Sequence, residues 1–293
     1  MKSHAFLILI TSLLAFIGCE EAVLPSYDPE IVVEGCIENG GFPVVILTTT
    51  VPVSSSVKDS TDLKDHIIRW GKVTISDGEK DVVLTGRKDD RYFPPYIYTT
   101  SGMRGVSGKE YSLKVEYSGR TVTASTTIPE PVPLEYVRVN EVENGSDDPE
   151  DRRYQITGGL KDNPQTKDYY KVFTKIQHQD SSFVSSFLGL TDDAILTDQV
   201  KEIPINRGFG TIGWKNENYF RSDDIVHIRF STLTPQGYEY WSDFEEIQSL
   251  SQNPFFPIST DIRSNIRGGL GYWTGYGSTY YTITCDGPSF LPL

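Results

Sequence analysis

Glu110-Tyr111-Ser112-Leu113-Lys114-Val115-Glu116-Tyr117 decides the architecture. Tyr111, Leu113, Val115 and Tyr117 fall on one side of an extended chain, and Ser112, Lys114 and Glu116 fall on the other. That alternation marks a strand with one buried and one wet face. Ser118-Gly119 turns the chain into residues 121–128, where Val122 and Ala124 take the inward positions. Toward the N-terminus, residues 30–38 form a β-branched run that stops at Asn39-Gly40-Gly41, and residues 42–50 follow as a second strand. Residues 67–75, 80–84 and 92–98 are shorter strands, separated by Asp77-Gly78 and Gly86. About seven short strands in roughly a hundred residues predict an antiparallel β-sandwich over residues 30–128, Ig-like or transthyretin-like.

Beyond it lies Ile128-Pro129-Glu130-Pro131-Val132-Pro133. Prolines on alternate positions hold the chain extended and semi-rigid, so residues 129–133 read as a hinge between domains; an edge strand is the other reading. Residues 134–293 then read as a second antiparallel β domain, a sandwich or barrel. Its strands are expected at 134–142, 154–160, 169–177, 183–188, 225–233, 268–274 and 279–285. One helix is expected near 235–251. Thr234 is its N-cap and Pro235 its first residue, with Tyr238, Trp241, Phe244 or Glu245, and Gln248 at helical spacing and Asn253-Pro254 beyond its end. The aromatic stripe fits packing against the sheet better than service as a ligand platform.

The N-terminus carries the clearest functional signal. Lys2 precedes an apolar run over residues 5–17 that is too short to span a bilayer and has the make-up of a signal-peptide core. The run ends in Phe16-Ile17-Gly18-Cys19, a small residue followed by a cysteine, as lipoprotein processing requires. Phe16 departs from the usual Leu. Residues 1–18 are therefore expected to be removed, Cys19 to carry a diacylglyceryl thioether and an N-acyl chain, and residues 19–29 to act as tether. More than one acyl chain anchors stably. The chain has a net charge of −13, and loss of residues 1–18 removes one Lys and no acid, leaving −14. Such acidity argues against a nucleic-acid partner.

Several motifs together resemble a Bacteroidota outer-membrane lipoprotein family of unknown function, domain-of-unknown-function family 4249. They are Ile31-Val32-Val33-Glu34-Gly35, Pro43-Val44-Val45-Ile46-Leu47-Thr48, Gly108-x-x-Tyr111-x-Leu113-x-Val115, Thr127-Ile128-Pro129 and Ser264-Asn265-Ile266-x-Gly268-Gly269-Leu270-Gly271. The resemblance covers nearly the whole mature chain. It implies a gene neighbourhood with TonB-dependent receptors, hence such a receptor as partner, and supplies no catalytic residues. Glu20-Glu21 resembles the acidic signal that sends Bacteroidota lipoproteins to the outer leaflet of the outer membrane. The first domain is also similar to the small regulatory sandwich of carboxypeptidases, an analogy of fold alone.

Residues that could carry chemistry are sparse. His66, His178 and His227 are isolated, and no zincin, nucleophile-elbow, phosphate-loop or paired-cysteine motif occurs. The acidic loop 144–151 and the pairs Asp192-Asp193 and Asp223-Asp224 have oxygen for Ca²⁺ but not the order of a calcium loop. No metal or cofactor is expected. The segment 268–281 is dense in glycine and aromatics, and two readings stand beside each other. Tyr272, Trp273 and Tyr276 contact a ligand or partner, or they fill the second core in a closing hairpin; packing is favoured. Once Cys19 is lipidated, Cys36 and Cys285 remain, and two free thiols are expected rather than a bridge, because the hinge separates them. The expected function is that of a non-enzymatic lipoprotein exposed at the cell surface, an accessory of a TonB-dependent transporter in nutrient capture or gating. A structural or adhesive envelope protein is the alternative, and a hydrolase is disfavoured.

Overall fold

The computed structural model describes residues 28–51, 62–143, 148, 152–161, 165–192, 200–208, 218–250 and 262–292. Cys19, Glu20, Glu21, the signal segment and most of the tether lie outside the described residues. So does the acidic loop 144–151, except Asp148.

Eight strands make the first half: β1 (Ile31–Glu38), β2 (Val44–Thr49), β3 (Lys72–Ser76), β4 (Asp81–Val83), β5 (Thr85–Lys88), β6 (Tyr96–Thr99), β7 (Glu110–Tyr117) and β8 (Arg120–Thr127). The second half holds β9 (Tyr136–Val142), β10 (Arg153–Leu160), β11 (Tyr169–Ile176), β12 (Val184–Asp192), β13 (Lys201–Ile205), β14 (Phe220–Arg221), β15 (Ile225–Leu233), the helix α1 (Pro235–Leu250), β16 (Leu270–Thr284) and β17 (Ser289–Pro292). The protein is mainly β with antiparallel sandwiches and one packed helix, as the alternation predicts.

The sheets are joined in a way the sequence does not announce. One eight-stranded sheet runs β12-β11-β15-β16-β1-β2-β6-β5, taking strands from both halves. Its spine is β16. The first part of β16 pairs in parallel with β1, from Val32 opposite Leu270 to Glu38 opposite Tyr276. The second part pairs antiparallel with β15, from Leu233 opposite Tyr276 to Ile225 opposite Thr284. Odd-numbered residues of β16 face two smaller sheets lying side by side. The four-stranded sheet β4-β3-β7-β8 closes a first core with Val33, Ile37, Leu47, Val115 and Trp273. The five-stranded sheet, built on β13-β10-β9-β17 with β14 beside β10, closes a second core with Ile156, Phe220, Phe230 and Ile283. On the opposite side, Tyr272 and Tyr276 of β16 pack against Tyr240 and Trp241 of α1.

This arrangement revises three expectations. Residues 268–274 and 279–285 are one continuous strand and not two strands of a hairpin. The glycines between them permit close approach: a Cβ on Gly275 would collide with the Thr127 carbonyl, and one on Gly277 with that of Pro129. The same contacts show that residues 129–133 are laid across β16 and fastened there. Ile128 and Leu134 are buried, the Val132 amide donates to Thr232 Oγ1 (3.3 Å) and the Leu134 amide to Tyr281 Oη (2.8 Å). The stretch expected as a hinge is a strap. Finally, the segment expected wholly within 134–293 returns Ile266 and Trp273 to the first core, so the two sandwiches share a sheet.

Candidate functional site

The three aromatics singled out by sequence are committed to packing. Trp273 is fully buried in the first core, and its indole N–H donates to the Tyr111 carbonyl (2.9 Å). Tyr276 is buried under α1 and accepts a hydrogen bond from Trp241 Nε1 (3.0 Å). Tyr272 stacks on Tyr240 at 3.8 Å between centroids and keeps one edge on a small cavity described below. None of the three forms an open stacking platform.

The other sequence candidates also occupy structural roles. Asp224 accepts from the Arg221 amide (2.9 Å) and Gln179 Nε2 (2.7 Å), holding the turn before β15. His66 Nδ1 meets Thr49 Oγ1 at 3.1 Å, and His227 Nδ1 meets Thr282 Oγ1 at 2.9 Å. Among the described residues, no three His, Cys, Asp or Glu side chains gather as a metal site. Cys36 and Cys285 are free. Cys36 is opposite Thr274, and eleven residues of extended chain carry β16 from there to Cys285, roughly 35 Å.

Charges that composition could not place lie beneath α1. Thr234 caps the helix through Oγ1 to the Gly237 amide (3.1 Å), which sets its start over the spine. Its inner face meets Phe173, Leu233 and Tyr276 through Trp241. Lys171 of β11 is completely buried there and pairs with Glu245 of α1, its ammonium 5.0 Å from the Trp241 ring centroid. Burial pulls the Lys171 pKa down, while attraction to Glu245 and the hydrogen bond that Lys171 donates to it push it back up. Arg229 of β15 stacks over Phe173 (3.9 Å) and stands 3.8 Å from Glu38, which also accepts from Tyr280 Oη (2.6 Å).

The feature best suited to a ligand is a groove of about 600 Å³ running along β8 to the first turn of α1. That size is within the ordinary range of ligand sites. Thr123, Ser125 and Thr127 of β8 form one wall, and the N-cap Thr234 and Gln236 of α1 face them. β8 is the last strand of its sheet. The Thr123 amide donates to the Arg267 carbonyl (3.1 Å) and the Arg267 amide to the Thr123 carbonyl (2.8 Å), so Thr123 turns its backbone away from β7. Alternation along an antiparallel ladder turns Ser125 and Thr127 the same way. The chain that supplies Arg267 does not continue beside them. Asn265 leaves to clamp the backbone of Trp273, accepting from its amide (2.9 Å) and donating to its carbonyl (2.7 Å). Two charged side chains line the groove, Glu110 and Arg267. Both are exposed, and neither is ion-paired among the described residues. A smaller cavity of about 50 Å³ shares Gln236 and Asn265 with the groove and reaches Tyr240, Tyr272 and Thr274. The buried Thr274 hydroxyl there has no hydrogen-bond partner among the described residues.

Sequence reading marks Thr123, Ser125 and Thr127 as the wet face of a strand and goes no further. Their place on an open edge depends on strand order, which no local pattern contains.

Fold and groove together define a double β-sandwich on a shared sheet, with a polar cleft where a sheet edge meets a helix start. The chain belongs to the domain of unknown function family DUF4249, whose model matches residues 20–282. Comparison with curated proteins gives no match.

Proposed function

We propose that the protein is a lipid-anchored, non-enzymatic binding protein of the bacterial outer membrane, exposed at the cell surface, that captures a small nutrient for a TonB-dependent transporter. The observation that carries the capture reading is the groove along β8: polar, of ligand size and edged by backbone groups that have no partner among the described residues. Support for anchoring comes from the Gly18-Cys19 lipobox, and among the described residues no helix is long and apolar enough to cross a membrane. Surface exposure draws on Glu20-Glu21, and the Bacteroidota setting and transporter partner draw on the resemblance to the family.

Native purification tests the reading. The wild-type protein, extracted in mild detergent, is expected to carry labelled acyl chains and to bring down a large outer-membrane β-barrel receptor. The Cys19→Ala protein is expected in the soluble fraction without the label. Membrane retention of unlabelled Cys19→Ala protein would overturn the anchor, and absence of any receptor with the wild type would overturn the accessory role.

A further inference from the structure

The groove has a polarity that identifies a class of ligand. Its two charged side chains stand at opposite ends of one edge: Arg267 is bridged to Thr123, and Glu110 is paired with Thr127 across β7 and β8. Four residues of extended chain separate the ends, about 13 Å. Between them the lining is mostly hydroxyl and amide, with Ala124 and Pro235, and alternation along the ladder turns the Ser125 N–H, Ser125 C=O and Thr127 N–H to the same side as the Thr123 groups that bond Arg267. The Arg267 segment has already added one residue of antiparallel strand to β8 and then veers away. Among the described residues, no backbone group pairs with the next positions on that edge.

We infer that a short peptide with free termini binds here as an added strand antiparallel to β8, with its carboxylate at Arg267 and its ammonium at Glu110. An antiparallel peptide beside Ser125 and Thr127 ends at Thr123, where Arg267 stands, and begins at Thr127, where Glu110 stands. Three or four residues at about 3.4 Å each fill the span. Main-chain bonds to an edge give affinity with little side-chain selectivity, which suits uptake of mixed peptides. Arg267 can take a terminal carboxylate through two parallel N–H donors. The hydroxyl-rich walls hold the peptide backbone without an apolar pocket. The assignment names the nutrient of the capture reading above and rests on that reading.

Titration calorimetry on the mature chain decides it, with trialanine as probe. Trialanine is expected to bind, and N-acetyl-trialanine-amide to bind at least tenfold more weakly. Arg267→Gln is expected to abolish the preference for the C-terminal carboxylate over the amide, leaving the preference for a free ammonium. Glu110→Gln should do the converse. Both side chains are exposed, so neither change threatens the fold. Ser125→Pro removes one edge donor and is expected to weaken both the free and capped peptides, with circular dichroism confirming that it folds. Equal binding of free and capped peptides, or none of either at millimolar concentration, overturns the inference. So does a dimer at micromolar concentration that Ser125→Pro dissolves, since the edge would then serve a second copy. If peptides fail while the receptor still co-purifies, the peptide assignment falls and the capture reading stands. Loss of the receptor together with retained peptide binding strikes only the latter.

Discussion

Glu245→Ala leaves the Lys171 ammonium buried without its counter-charge. Lys171 has no exposed side-chain surface, and the carboxylate that meets it is about one-fifth exposed. Removing one partner of a buried pair costs about 3–5 kcal/mol. The lower end applies, because a vacated Glu245 site on the partly open helix side admits water toward the ammonium. For a chain of this size each kcal/mol shifts the unfolding midpoint by about 2–4 °C, so the expected fall is roughly 6–12 °C. Lys171→Met/Glu245→Leu removes both charges and fills the space under Trp241, and it should recover most of the loss. The pH dependence has a definite sign. Lys171 titrates below its ordinary value in the folded chain, so between the folded and unfolded pKa values the unfolded state binds more protons. Stability therefore rises with pH across that window. Without Glu245, both influences that push the Lys171 pKa up are gone, so the window begins at a lower pH. Thermal unfolding of the mature chain followed by circular dichroism between pH 7 and 10 measures all of this. A Glu245→Ala midpoint within about 1 °C of wild type, or a double variant less stable than Glu245→Ala, refutes the reasoning.

Other outcomes follow from the same physical picture. Glu20→Ala/Glu21→Ala should leave acyl labelling intact and reduce the reaction of whole cells with antibody or protease; unchanged exposure makes the pair mere tether. Gly271→Ala should abolish stable folding or cost several kcal/mol: φ there is +104°, and an added Cβ would strike the Val33 carbonyl in the parallel β1–β16 pairing. Denaturant melts of that variant against wild type give the number, and an unchanged midpoint contradicts the pairing. Burial pushes the thiols of Cys36 and Cys285 up to about 12. Alkylation at pH 8 should be slow in the folded chain, and two thiols should react on unfolding without reductant; finding none would mean a disulfide.

The division between what sequence and tertiary structure each decided follows from the range of the interactions. Tyr111-Ser112-Leu113-Lys114-Val115 states its own strand, because side-chain alternation is a local matter of which face meets water. Thr234-Pro235 likewise states the start of α1, because a cap and a proline act within one turn. A lipobox is read by an enzyme as a linear motif, so its signal is complete in Phe16-Ile17-Gly18-Cys19. Local pattern failed where the partner is distant. The glycines at 275 and 277 look like a turn until Thr127 and Pro129 are brought against them, and the proline run looks like a hinge until β16 lies beneath it. β11 shows the same limit. Tyr170, Lys171, Val172, Phe173 and Thr174 are buried in succession, since that strand is covered on both faces, and no alternation remains to reveal which face holds the charge. The groove is further still from the sequence. Ser125 and Thr127 are ordinary wet-face residues, and only strand order leaves their backbone groups open between Glu110 and Arg267.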